Sequence, residues 1–257
     1  MDRIKIVKDT DYFFLPERLV IMDDQFKVRS NPESRVFAHG ASDIADGKIK
    51  EKMLRIEGVV DQLGPERTVF FNQVQLIRQK LLQTDYKLYL GDNYYINVDK
   101  VLQMKDDYLE AGSNYNAAKL TIDLLCLDPF WYAAEDGSAS QVVTSSPTEF
   151  TVTNSGKAEA HPIITITAAA TIADLTLENT SDLQSDGTGL KFRYQDPALF
   201  IGNVLVIDCK AGTVTRGETN TIRYFSGAFI KLLAGSNVLE YTGGNCTIGL
   251  TYGRRYF

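Results

Sequence analysis

The strongest constraint on this 257-residue chain is a period of two. Apolar residues recur at alternate positions in run after run: Tyr86, Leu88 and Leu90; Tyr94, Ile96 and Val98; Leu120, Ile122, Leu124 and Cys126; Leu190, Phe192 and Tyr194; Cys246, Ile248, Leu250 and Tyr252. Alternation puts one row of side chains on one face of a strand, so each run needs a sheet with one covered face. Further strand-like runs fall at Arg3–Val7, Arg18–Met22, Ser34–Ala38 and Met53–Val60. One stretch follows a different period. Beyond Gly64 and Pro65, the residues Phe70, Val74, Ile77 and Leu81 recur at helical spacing, and Pro65 suits the opening turn. The pattern predicts a mainly β chain with one helix over about 66–83, whose apolar stripe needs a sheet or barrel wall to cover it.

Composition divides the chain near residue 135. Residues 1–135 hold four threonines, six glycines and 40 charged residues, and residues 136–257 hold 17, 13 and 20. More Thr and Gly with less charge is what short strands joined by tight turns produce. Turn signals recur at NSG (154–156), SDGTG (185–189), KAG (210–212), AGSN (234–237) and TGGN (242–245). The expected organisation is a strand-rich domain over 1–133, a small polar linker over 134–141 and an all-β sandwich or jelly roll over 142–257.

The sequence excludes several kinds of chemistry. Cys126, Cys209 and Cys246 are far apart and each lies in an apolar run, which reads as three reduced, buried thiols in a chain made in a cytosol. The two histidines, His39 in a loop and His161 at a strand edge, have no histidine or cysteine near them in sequence, so neither reads as a ligand or base. The pairs Asp23–Asp24 and Asp106–Asp107 read as solvated turn residues. SDGTG lacks the lysine and helix of a phosphate loop and reads as a hairpin. No nucleophile, zinc or dinucleotide motif occurs, so neither an enzyme nor a bound metal or cofactor is expected. A net charge of −6 argues against a protein that grips nucleic acid. No apolar run approaches the ~18 residues of a membrane span, and the basic start lacks the apolar core of a signal peptide.

The chain's single tryptophan falls in LDPFWYAAED, beside Phe130 and Tyr132. Three aromatics before a linker can make a ligand platform, but they more often close the base of a domain. The stretch Leu124–Leu127 followed by Asp128, Pro129, Phe130, Trp131 and Tyr132 resembles the hydrophobic strand and aspartate-proline-aromatic closure of the distal tail proteins of long-tailed, non-contractile phages. The helix followed by strands at 66–104, HPIITIT at 161–167, GNVLVIDCKAGTV at 202–214 and FIKLLAGSNVLEYTG at 229–243 match that family in order and spacing. SDGTG departs from its asparagine- and threonine-rich turn, and the insertions that carry sugar-binding modules in some relatives are missing.

This resemblance implies an N-terminal split β-barrel, related to the tail-tube protein and carrying one helix, followed by a galectin-like β-sandwich. It implies a homo-hexameric ring at the virion's tail tip, made in the host bacterial cytoplasm. Such a ring joins the tail tube protein to the tail-tip hub protein and offers a docking face for receptor-binding proteins. DNA passes through its lumen without specific binding, past a wall whose like charge lets it slide, and nothing inserts into a membrane. Arg18–Arg29, Ser34–Ile44 and Lys105–Ala117, charged and lacking core periodicity, are the expected ring contacts. A carbohydrate-binding module of the β-sandwich type stays open as the alternative. It would need an exposed aromatic platform, whereas most aromatics of residues 142–257 lie in alternating runs that point to burial.

Overall fold

The computed structural model describes residues 3–27, 51–63, 67–110 and 115–257. Contacts divide the chain into two units, Met1–Ala134 and Glu135–Phe257. The first contains β1 (Ile4–Lys8), β2 (Asp11–Phe14), β3 (Leu19–Lys27), β4 (Glu51–Leu63), α1 (Arg67–Leu81), β5 (Tyr86–Leu90), β6 (Tyr94–Val98), β7 (Lys100–Glu110), β8 (Tyr115–Cys126) and β9 (Trp131–Ala133). They form two antiparallel sheets, ordered β2-β1-β5-β6-β9 and β3-β4-β8-β7, with no closed barrel among the described residues. The strand expected at 34–38 lies outside the described residues.

Alternation sets the faces of both sheets. In the first, Ile4, Ile6, Tyr86, Leu88, Ile96 and Val98 are buried, while Lys5, Lys87, Tyr89 and Tyr95 point the other way. In the second, Leu54, Ile56 and Val60 of β4 lie beside Leu120, Ile122 and Leu124 of β8. Helix α1 buries Phe70, Val74, Ile77 and Leu81, the four residues whose spacing predicted it. It reaches β7 through an Arg78–Asp106 ion pair and an edge-on Phe70–Tyr108 contact at 6.3 Å. Partial desolvation, then the nearby Asp106 carboxylate, raises the Tyr108 pKa.

Two expectations change here. The run begun by Tyr94, Ile96 and Val98 does not continue into the residues after it as one strand: β6 belongs to the first sheet and β7 to the second, with the chain changing sheets at Asp99. Asp106 and Asp107 sit in β7 rather than in a turn, and Asp23 and Asp24 sit in β3. The residues around them hide their strand character, because bulges at Leu102 and Met22 break the period of two.

The second unit contains β10 (Gly137–Val143), β11 (Thr148–Asn154), β12 (Ile163–Ala168), β13 (Leu175–Leu183), β14 (Gly189–Tyr194), β15 (Val204–Asp208), β16 (Thr213–Arg216), β17 (Thr219–Asn220), β18 (Phe225–Gly227), β19 (Gly235–Thr242), β20 (Cys246–Tyr252) and β21 (Arg255–Tyr256). Two sheets, β10-β20-β12-β15-β16-β17 and β11-β19-β13-β14-β18, enclose one core. Ile164, Ile166, Leu205, Ile207, Ile248 and Leu250 of the first pack with Leu177, Phe192, Tyr194, Leu239 and Tyr241 of the second. The linker expected at 134–141 is largely strand, because Gly137–Val143 pairs residue for residue with Tyr252–Cys246. Its alternating serines and small residues reflect an exposed edge strand rather than a flexible joint.

Buried polar side chains fix the path of the chain across this core. Asn179 and Asn237 are fully buried and joined at 3.1 Å, and Asn179 also donates to the Lys231 carbonyl at 2.8 Å. Asn154 donates to the carbonyls of Ala158 and Leu232. Asp196, also fully buried, accepts from the Tyr194 hydroxyl at 2.8 Å and pairs with Arg216 at 3.0 Å. Burial, the largest cause, pushes the Tyr194 hydroxyl up to about 12. Gly227 has φ +98, and an added Cβ would lie 2.6 Å from the Lys191 carbonyl oxygen, so no other residue fits there without moving β14.

All three cysteines are free and buried. Burial pushes the Cys209 thiol up to about 12 and raises Cys246 as well. The thiolate is the reactive form, so neither should label with a thiol reagent at pH 8 until the chain unfolds. Rapid labelling of the native protein, read by intact mass, would contradict this packing.

Candidate functional site

The closing motif follows directly from the end of β8. The backbone N–H of Leu127 donates to the Asp99 carboxylate at 2.7 Å, tying the exit of β8 to the crossing between β6 and β7. Leu127 itself is 56% exposed, so the apolar run ends one residue earlier than a fully covered base would need. Pro129 then turns the chain into β9, where Trp131 and Tyr132 are each 7% exposed. The Tyr132 hydroxyl donates to Asp128 at 2.7 Å, and its ring stacks on Tyr95 with centroids 5.5 Å apart. The Lys52 ammonium, fully buried on β4, stands 5.9 Å from the centre of the Trp131 ring. Asp128 and Tyr132 are thus brought together, Trp131 joins the buried face of the second sheet through Lys52, and Phe130 stays half-buried.

Tyr132 also ends a row across the first sheet. Phe14, Lys5, Tyr89, Tyr95 and Tyr132 face one another in register on five successive strands. Lys5 lies 4.7 Å from the centre of the Tyr89 ring, and Lys87 lies 4.3 Å from that of Tyr95. Cations over ring faces are favourable because the ring face is negative. The row is a ladder of rings and lysines on the face opposite the apolar core.

The second sheet carries its polar residues on the face away from α1. Arg55, Glu57, Lys119, Thr121, Asp123, Gln103, Lys105 and Asp107 share that face by register. Arg55 holds Asp123 in a two-pronged pair at 2.7 and 3.0 Å, Lys105 pairs with Asp107 at 2.9 Å, and Lys119 lies 3.7 Å from Glu57. Beside β3, Arg18 pairs with Asp61. Among the described residues the outer strands β3 and β7 each have one partner within the unit, so each presents a backbone edge without a described partner. Sequence reasoning missed this arrangement because a cross-strand row is visible only once register is known.

Of the expected ring contacts, residues 34–44 lie outside the described residues. The segment 18–29 falls mainly on β3, and 105–117 falls on the end of β7 and the start of β8, with 111–114 outside the described residues. His39 likewise lies outside them. His161 is half-buried before β12, and burial followed by nearby Arg255 lowers its pKa. Among the described residues no group of three or more His, Cys, Asp or Glu could hold a metal, and no helix is long and apolar enough to cross a membrane. The second unit has a groove of about 680 Å³ lined by Asp174, Thr176, Lys191, Arg193 and Ser226. Arg193 hydrogen-bonds Asp174 and holds that carboxyl below the usual range. Phe192, the aromatic residue of the lining, is 1% exposed, so the groove offers polar contacts without a stacking ring.

The closing motif yields a stability test. Trp131→Ala should cost about 3–5 kcal/mol through the lost ring and the cavity left behind. Tyr132→Phe should cost about 1 kcal/mol through the lost hydrogen bond to Asp128. Urea unfolding checks both, and an unchanged midpoint for Trp131→Ala would show that the motif closes nothing.

Residues 155–256 match the family described as siphovirus-type tail component, C-terminal domain. No curated protein matches the chain. A solved structure of the SPP1 Dit (gp 19.1) protein, described as a paradigm of the hub adsorption apparatus in phages that infect Gram-positive bacteria, is similar over 99% of this chain and 99% of its own, with a TM-score of 0.67 and 15% identity. At that identity the likeness is one of fold, and it extends beyond the domain that the family match covers. Residues 155–256 thus match the C-terminal domain of siphovirus-type tail components, and the chain has the fold of the SPP1 Dit protein.

Proposed function

We propose that six copies of this chain close into a ring at the tail tip, joining the tail tube to the tip hub. The observation that carries this reading is the sheet β3-β4-β8-β7. It has four antiparallel strands, so its edge strands β3 and β7 run in opposite directions. When copies are arranged around an axis, β7 of one therefore meets β3 of the next antiparallel, and the same contact repeats until the ring closes. Closure removes the open edges of this sheet, which is how antiparallel sheets avoid indiscriminate pairing. The bulges at Met22 and Leu102 bend the outer strands, as a curved wall requires. Six such sheets supply about 24 strands and a backbone cylinder roughly 40–50 Å across, wide enough for a DNA duplex.

In this arrangement α1 and the apolar face lie outside and the polar face lines the lumen, through which DNA passes without specific binding. The C-terminal sandwich serves as the docking face for receptor-binding proteins. Its outer sheet surface suits that role, because Val142, Thr247, Thr167 and Val204 form one uncharged row across four strands. The likeness to a protein described as part of a hub adsorption apparatus supports the same placement. Assembly follows synthesis in the host cytoplasm. The carbohydrate-binding reading has no comparable support, since the groove on the sandwich lacks an exposed ring.

Sedimentation over a range of concentrations, with and without the tube and hub proteins, tests the ring. Six-fold particles at high concentration or on the tube are expected. A monomer under every condition, binding neither partner, removes the ring and leaves saccharide binding to be tested first.

A further inference from the structure

The polar face of β4, β8 and β7 is balanced charge for charge. Its cations are Arg55, Lys100, Lys105 and Lys119, joined by Arg18 paired with Asp61, and its carboxylates are Glu51, Glu57, Asp61, Asp107 and Asp123. Arg55, Lys105 and Lys119 with Glu57, Asp107 and Asp123 form its centre. Each central cation has a carboxylate of the same face within 2.7–3.7 Å. The signs also alternate across the strands. Arg55 stands directly opposite Asp123, Lys119 stands opposite Asp107, and Glu57 and Lys105 flank the same Thr121. Lys100, at the start of β7, is the cation at the end of this face. The cations of the central pairs are substantially solvent-accessible, Lys119 and Lys105 at 51% and 60% and Arg55 at 46%, while Glu57 is 25% and Asp123 only 9% exposed. Exposed pairs of this kind add little stability, so stability does not explain why six charges alternate here.

A polyanion explains the pattern better. A surface holds DNA by letting lysine and arginine replace the counterions around phosphates, and every free cation adds to the grip. A cation already neutralised by a carboxylate about 3 Å away contributes little beyond a Debye length. We propose that this lattice of ion pairs is the device that keeps the lumen from gripping duplex DNA. The wall is neutral rather than acidic, with its cations cancelled in place by Glu57, Asp107 and Asp123. This rests on the ring reading above, and it replaces the expectation that like charge on the wall lets the duplex slide.

The test converts the carboxylates to amides, which keeps their shape and frees the cations. Because Asp123 is nearly buried against Arg55, its replacement risks folding, so two variants are used: Glu57→Gln/Asp107→Asn, and the triple variant that adds Asp123→Asn. Assembly of parent and variants is checked first by imaging and sedimentation in the presence of the tube and hub proteins. Assembled rings are then mixed with linear and closed-circular duplexes in ~50 mM salt, where phosphate contacts are strong. A closed circle cannot thread a ring, so it reports binding to the outside only.

Parent rings should retain neither DNA. Double-variant rings should retain linear duplex about tenfold more than the parent, with retention falling steeply as salt rises, and should ignore circles. Well-formed double-variant rings that hold no more linear duplex than the parent overturn the proposal, as does equal retention of circles. If no chain forms rings with its partners present, the ring reading fails and this proposal goes with it, a result visible before any DNA is added.

Discussion

The N-terminal unit is governed by the backbone groups along two strands that, among the described residues, have a partner on one side only. An unpaired edge attracts any other strand, and a long one is a hazard in a free chain. Here β7 and β8 extend far enough to make the edge long, and β4 pairs with β8 from Lys52–Cys126 to Leu63–Tyr115. The features around the sheet follow from this. One face must be apolar to hold α1, and the other must be polar because the helix covers only one side. The strand number must be even if the two edges are to satisfy each other in repeated copies. The bulges sit on β3 and β7, the two strands that any neighbour would meet.

The C-terminal unit solves a different problem. Its two sheets bury their inner faces against each other, and its specificity comes from polar groups placed inside. A buried amide left without partners costs about 1–3 kcal/mol, yet Asn154, Asn179 and Asn237 are fully buried and fully engaged. They grip the carbonyls of the segment around Lys231–Leu233, whose backbone pairing in this stretch is the single Ala160–Leu232 bridge. Asp196 does similar work for the chain after β14, since the Ala198 N–H donates to it at 2.9 Å. An apolar core alone would leave those segments free to slide, so the amides define one path for the chain.

Much of this was legible because alternation and helical spacing are local. The four buried residues of α1, the inward rows of β5, β6 and β8, and the sandwich strands β14 and β20 can be read from neighbouring positions. What stayed hidden is what depends on distant residues. Strand β7 was unreadable because a bulge and a polar face erase its periodicity, so KDDY reads as a turn. Gly137–Val143 reads as a linker because an edge strand with one wet face needs few large apolar residues. Lys52 looks like a surface residue, and only the fold puts its ammonium beneath Trp131. The Arg55–Asp123 pair spans 68 positions, and no window along the sequence joins them.

Net charge is the clearest case of a global number misleading about a local surface. The chain carries −6, which invites the picture of an acidic wall that repels DNA. An acidic wall would slow entry as well as prevent sticking, because repulsion acts on the approaching duplex too. A wall of close ion pairs does neither. Its field is that of small dipoles of alternating sense, which cancel within a few ångströms and are screened over about 8 Å at physiological salt. In the proposed ring the duplex would meet a hydrated surface with no sign. A conduit needs that condition, since its cargo must enter at one end, leave at the other and be held nowhere between.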